Sequence, residues 1–240
     1  MAAVNLLSTQ GLSRNFGGLM AVHNVSFDLP EGQIRAIIGP NGAGKTTFVS
    51  LLCGRIPASQ GKVTFLGEDV TALPAHERIS RGMAYTFQIT SIFERLTLRD
   101  NVSLAVQRRL GSDRQQIAVE AEAALESVGL AARADQVAGD LSYGHQRLLE
   151  LAMGLGQKPR LLILDEPTQG LADSEIDEFV SLVRSVSGET TILLIEHNMN
   201  VVMDVADFIT VINFGEILAE GNPADIRGNA DVQAAYLGTG

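Results

Sequence analysis

The sequence predicts an α/β fold with a parallel sheet at its centre, a β-rich segment before it and a helical segment inserted into it. Three observations carry this expectation. Continuous apolar runs of strand length occur at Ile34–Ile38, 160–164 and 190–195, the pattern of strands buried on both faces. Helical periodicity separates them, and strands alternating with helices imply parallel pairing. A glycine-rich loop, Gly39-Pro-Asn-Gly-Ala-Gly-Lys-Thr46, sits between the first of these runs and a helix.

Taken in order, 4–7 and 22–29 are short apolar, β-branched stretches, and Pro30-Glu-Gly32 reads as a turn into Ile34–Ile38. After the glycine loop, 45–53 reads as a helix with Phe48, Leu51 and Leu52 on its apolar side and Gly54 as the stop. Residues 62–66 and 83–87 read as further strands. From about 90 to 157 the pattern becomes helical; Ile117, Ala121, Leu125 and Val128 recur at helical spacing before Gly129. Ile176, Phe179, Val180 and Val183 mark one face of a helix after Asp173. Strands at 208–213 and 216–219 meet through Phe214-Gly215, and the small-residue tail 228–240 is expected to be mobile at its end.

The chain has 240 residues, 45% hydrophobic and 19% charged, enough for one large domain. No apolar run approaches the ~20 residues that span a bilayer, and Met1-Ala-Ala-Val-Asn has no basic-then-apolar signal pattern. The single cysteine, Cys53, excludes an internal disulfide and a multi-cysteine zinc site, and helix packing is its expected role. A net charge of −10 argues against nucleic acid as the main partner. The basic pairs Arg78/Arg81 and Arg108/Arg109 read as solvated surface charge.

Gly39-x-x-x-x-Gly44-Lys45-Thr46 after a strand and before a helix is a phosphate-binding loop. In this loop of Gly39, Pro40, Asn41, Gly42, Ala43 and Gly44, the glycines let backbone N–H groups approach phosphate oxygens without a side-chain clash, and the helix N-terminus adds its positive dipole end. Lys45 is placed for the β- and γ-phosphates, Thr46 for Mg²⁺, and Thr47 for the α-phosphate. Asp165 ends an apolar strand, where an acid holds Mg²⁺ in phosphate-loop enzymes, and Glu166 is placed to polarise the attacking water. His197, after 190–195, can reach the γ-phosphate from the neighbouring strand. Gln88 is a polar residue at the end of the 83–87 strand.

With Leu141-Ser-Tyr-Gly-His-Gln146, these residues resemble the ATP-binding cassette (ABC) ATPase family over essentially the whole chain. The resemblance makes Gly39–Thr46 the Walker A motif, Gln88 the Q-loop residue, 141–146 the signature, 161–166 the Walker B motif with the catalytic glutamate, 168–173 the D-loop and His197 the switch histidine. It adds Phe16 as the aromatic that stacks on adenine. It implies catalytic roles for Glu166, His197, Lys45 and Gln88, with Thr46, Gln88 and Asp165 facing Mg²⁺. It implies a phosphate-loop NTPase core with an N-terminal antiparallel β subdomain (1–87 and 158–240) and an inserted α-helical subdomain (about 88–157). Ser142, Tyr143, Gly144 and His145 would close over ATP held by another subunit. The common signature is Leu-Ser-Gly-Gly-Gln; Tyr143 and His145 depart from it, and Leu148 and Met153 stand where many members have arginine.

Details narrow the resemblance. Thr86-Phe-Gln88, Leu141–Glu150, Leu194-Ile-Glu-His-Asn-Met199, Leu218–Arg227 and Ala235-Tyr-Leu-Gly238 read like the branched-chain amino acid importer class. That class implies ATP and Mg²⁺ as cofactors and a second ABC ATPase subunit, as homo- or heterodimer. It also implies two integral membrane permease subunits, an external solute-binding protein and a position on the cytoplasmic face of the inner membrane. Import of urea or short amides, and a soluble ABC ATPase acting in assembly, are the alternatives. A non-catalytic nucleotide-binding module is disfavoured because Asp165, Glu166 and His197 are all retained.

Overall fold

The structure, a computed structural model, describes residues 5–86 and 91–237. Strand β1 (Asn5–Phe16) and strand β2 (Leu19–Pro30) form an antiparallel hairpin through Gly17-Gly18, with Ser8 opposite Asp28 and Thr9 opposite Phe27. Both run longer than their apolar stretches suggest, because pairing extends them through polar positions. Strand β3 (Ile34–Ile38) follows the expected turn. Strands β4 (Gln60–Phe65) and β5 (Glu68–Asp69) complete an antiparallel sheet in the order β2-β1-β4-β5.

The second sheet has the order β10-β9-β3-β8-β7-β6. Strands β6 (Met83–Thr86), β7 (Leu161–Asp165), β8 (Thr191–Ile195) and β9 (Phe208–Asn213) run parallel with β3, and β10 (Glu216–Gly221) is an antiparallel edge. Every residue of β3, β7 and β8 is buried, as continuous apolar runs require. Because these strands are parallel, their carboxyl ends share one edge. Residues 39–47, 165–166 and 197 all leave from that edge, the usual place for a ligand in an open α/β sheet.

Helix α1 (Lys45–Leu52) follows the glycine loop, and α2 (Ala75–Ser80) precedes β6. Between β6 and β7 lie α3 (Leu98–Leu110), α4 (Arg114–Ser127) and α5 (Tyr143–Gly156), which pack on one another. Thereafter come α6 (Asp173–Val186), α7 (Met199–Val205), α8 (Pro223–Gly228) and α9 (Ala230–Leu237). The last occupies the small-residue tail up to residue 237 and buries Val232 beside Ile38 and Ile226, and the end of the tail lies outside the described residues.

Alternation along the strands divides the core. Leu162 and Leu164 of β7 join Val102, Leu125 and Leu149 of the inserted helices. Leu161 and Ile163 face the other way, toward Phe27, Phe48 and Phe65. Phe27 and Phe48 meet edge to face at 5.5 Å.

One charge expectation is overturned. Arg78 is 2% exposed. Its guanidinium donates to the carbonyls of Leu51 and Leu52 at 2.7 Å, Thr71 at 2.9 Å and Leu73 at 3.0 Å. It therefore caps the negative end of α1, where orphan carbonyls require donors. Spacing along the sequence could not reveal this, since all four carbonyls come from another element or a turn outside α2.

Candidate functional site

The phosphate loop keeps its shape through backbone that only glycine tolerates at two points. Gly44 has φ +101 and a Cβ there would lie 2.3 Å from the Ala21 carbonyl. Gly39, φ +152, would place a Cβ 2.0 Å from the Ile212 carbonyl. Ala43 and Gly215 are tied by a 2.8 Å backbone bond, so the β9–β10 turn braces the loop. Lys45 is buried at the loop's centre, its ammonium donating to the carbonyls of Gly39 at 2.7 Å and Pro40 at 3.0 Å. Burial lowers its pKa, while Glu166 and Asp165 act in the opposite direction.

A cavity of about 470 Å³ lies over the loop. Phe16, Met20, Asn41–Thr47 and Glu166 are among the residues that line it. Phe16 is 45% exposed, and the Arg14 guanidinium sits 4.6 Å from its ring centroid. The ring thus carries a cation on one face while it contributes to the cavity wall.

Asp165 is buried at the end of β7 and accepts a 2.5 Å hydrogen bond from the Tyr85 hydroxyl on the neighbouring β6. Burial raises the Asp165 pKa, opposed chiefly by this bond; the Tyr85 phenol is itself pushed well up, first by burial and then by the acceptor carboxylate. No motif in the sequence singles out Tyr85. Its only signal was a polar-tipped aromatic one strand away from the acid. Glu166 takes φ +47, a left-handed conformation uncommon outside glycine, and its N–H bonds Ile195 O at 2.8 Å.

Among the described residues no three His, Cys, Asp or Glu side chains gather to hold a metal by themselves. The Thr46 hydroxyl and Asp165 carboxylate are hard oxygen donors that suit Mg²⁺ shared with phosphates and water. Gln88 lies outside the described residues. His197 is exposed at the end of β8, with Nδ1 3.8 Å from Glu196 Oε2.

The 141–146 segment is elsewhere: none of Ser142, Tyr143, Gly144 or His145 lines the phosphate-loop cavity. Ser142 is the N-cap of α5, and its hydroxyl lies 2.7 Å from His145 Nδ1. Tyr143 is anchored by Arg147, whose Nη2 donates to the phenol oxygen at 2.8 Å and whose guanidinium stacks 5.2 Å from the ring. The ring also packs on Gly170, where an added Cβ would come within 3.1 Å of it. Tyr143 thus joins the start of α5 to the 168–173 loop, a contact that its departure from the common motif makes available.

Comparison with known proteins agrees with this geometry. A family model for the ABC transporter matches residues 22–169, and one for the branched-chain amino acid ATP-binding cassette transporter matches 216–240. The chain is 40% identical to the high-affinity branched-chain amino acid transport ATP-binding protein BraF of Pseudomonas aeruginosa, over 97% of this chain and 98% of that one. It is 39% identical to the corresponding protein LivG of Escherichia coli, with the same coverage. Among solved structures, the ADP conformation of MJ1267, an ATP-binding cassette of an ABC transporter, superposes with a TM-score of 0.86 at 26% identity, covering 98% of this chain and 99% of that one.

Proposed function

The chain belongs to the ABC transporter family of ATP-hydrolysing transport subunits, and from that premise we propose that it powers uptake of branched-chain amino acids. The observation that carries the mechanism is the division of the site. The phosphate loop, Phe16 and Glu166 share one cavity, while Ser142–His145 lie outside it, with Ser142 and Tyr143 exposed and Gly144 buried. Each ATP then lies between the loop of one subunit and the signature of another. The C-terminal match at 216–240 supports the choice of solute.

Phe16 stacks on the adenine, and the amides of 39–47 bind the phosphates. Lys45 turns from the Gly39 and Pro40 carbonyls to the β- and γ-oxygens. Thr46 and Asp165, with Gln88, would hold Mg²⁺, which when bound withdraws charge from the transferred phosphoryl group. Glu166 accepts the proton of the attacking water and His197 bonds the γ-phosphate. Because ATP bridges two subunits, its γ-phosphate favours the closed pair, and hydrolysis removes that preference. The inserted helices pass closure to permease subunits in the membrane. Among the described residues no helix is long and apolar enough to cross a membrane, which fits peripheral attachment to such subunits.

The test is reconstitution with the permease subunits and the solute-binding protein in vesicles. ATP-dependent accumulation of labelled leucine is expected, and accumulation of urea or acetamide without leucine would overturn the solute. Glu166→Gln should bind ATP yet lose turnover on the order of 10²–10⁴-fold. Near-normal turnover would remove Glu166 from the role.

A further inference from the structure

Glu196 is 0% exposed, at the carboxyl end of β8 between the apolar Ile195 and the exposed His197. A buried carboxylate is costly unless its oxygens are satisfied. Here each oxygen serves a different loop. Oε1 accepts from the Thr168 N–H at 3.0 Å and from the Thr168 hydroxyl. Oε2 accepts from the N–H groups of His197 at 2.9 Å and Asn198 at 3.0 Å. Thr168 is two residues beyond Glu166, and a return bond runs from Glu166 N–H to Ile195 O at 2.8 Å. The loops that carry Glu166 and His197 are therefore joined twice, once through backbone and once through this carboxylate.

We propose that Glu196 is a positioning residue for hydrolysis: it sets where His197 stands relative to Glu166 by locking the two loops together. A cap for the His197 loop alone would need only Oε2. The second oxygen, turned back to Thr168, makes the group a bridge. The His197 ring is exposed, so its placement depends on its backbone, which Oε2 holds. Only a carboxylate of this length offers acceptors to all four donors. Glutamine would present its amide N–H groups to two of them. None of the Glu196 side-chain bonds goes to residues 39–47, so ATP binding is separable from the effect.

The inference rests on the reading of Glu166 and His197 given above, and the experiment separates the two. Single-turnover hydrolysis and equilibrium binding of labelled ATP are measured on the assembled transporter. Glu196→Gln should bind ATP as the wild type does and hydrolyse it about 10–100-fold more slowly, the scale on which small misplacements act. The double variant Glu196→Gln/His197→Ala should be no slower than His197→Ala alone, since the first acts through the second. Thr168→Ser should keep the wild-type rate and Thr168→Val should lose rate. Wild-type turnover by Glu196→Gln, or independent multiplication of losses in the double variant, would overturn the proposal. Should Glu196→Gln fail to fold, the Thr168 pair decides, and equal rates for Ser and Val sink it. An active Glu166→Gln defeats the hydrolytic reading itself; an inactive Glu166→Gln beside a fully active Glu196→Gln defeats only this proposal.

Discussion

At the scale of single residues, chemistry and burial separate side chains that sequence treats alike. Cys53 is 6% exposed within the cluster that holds Phe48 and Leu52, in keeping with the packing role expected of it. Burial pushes its thiol up to about 12, far from the range of a reactive thiolate. Iodoacetamide at pH 8 should therefore leave the native chain unlabelled and modify Cys53 only after denaturation; rapid labelling of native protein by mass spectrometry would contradict its burial. Arg78 and Arg81 differ more sharply. Arg81 bears exposed ion pairs with Glu68 and Glu77, whereas Arg78 ends a helix. Nothing in their spacing distinguishes them, because the carbonyls that Arg78 reaches are supplied by folding.

At the scale of elements, most boundaries follow from local chemistry. Thr97 caps α3 by accepting from Asp100 N–H at 3.0 Å, and Ser142 caps α5. One buried polar group does more than cap. Asn101 in α3 is 0% exposed, accepts from Phe93 N–H at 2.7 Å, and donates to Thr97 O at 2.9 Å and Phe93 O at 3.1 Å. It fixes residues 93–97, which lead into the inserted helices. Asn101→Ala removes the acceptor of the Phe93 N–H, while Thr97 O and Phe93 O keep backbone donors, and should cost about 1–3 kcal/mol. Calorimetric melting checks this; an unchanged Tm would show the loop to be held otherwise.

At the scale of the whole molecule, the proposed function needs a second subunit to complete the site. The cavity over the phosphate loop is lined by Phe16, Lys45 and Glu166, while Ser142 is exposed outside it and Gly144 is buried against Glu175. In a Glu166→Gln background, ATP should convert monomer to dimer in analytical ultracentrifugation. Ser142→Arg should abolish that shift and hydrolysis while leaving ATP binding to the monomer intact. Normal hydrolysis by Ser142→Arg would end the shared-site reading.

The amino-acid sequence by itself determined the α/β class, the phosphate loop, Asp165 and Glu166, and the family. These rest on short-range patterns: apolar runs, glycines at fixed spacing, acids at strand ends. Only the tertiary structure decided which distant groups meet. Tyr85 reaches Asp165 because β6 and β7 are neighbours, Tyr143 rests on Gly170, and Glu196 bridges to Thr168. Each of these contacts depends on strand order and loop closure, which bring together residues far apart in the chain and which no local pattern encodes.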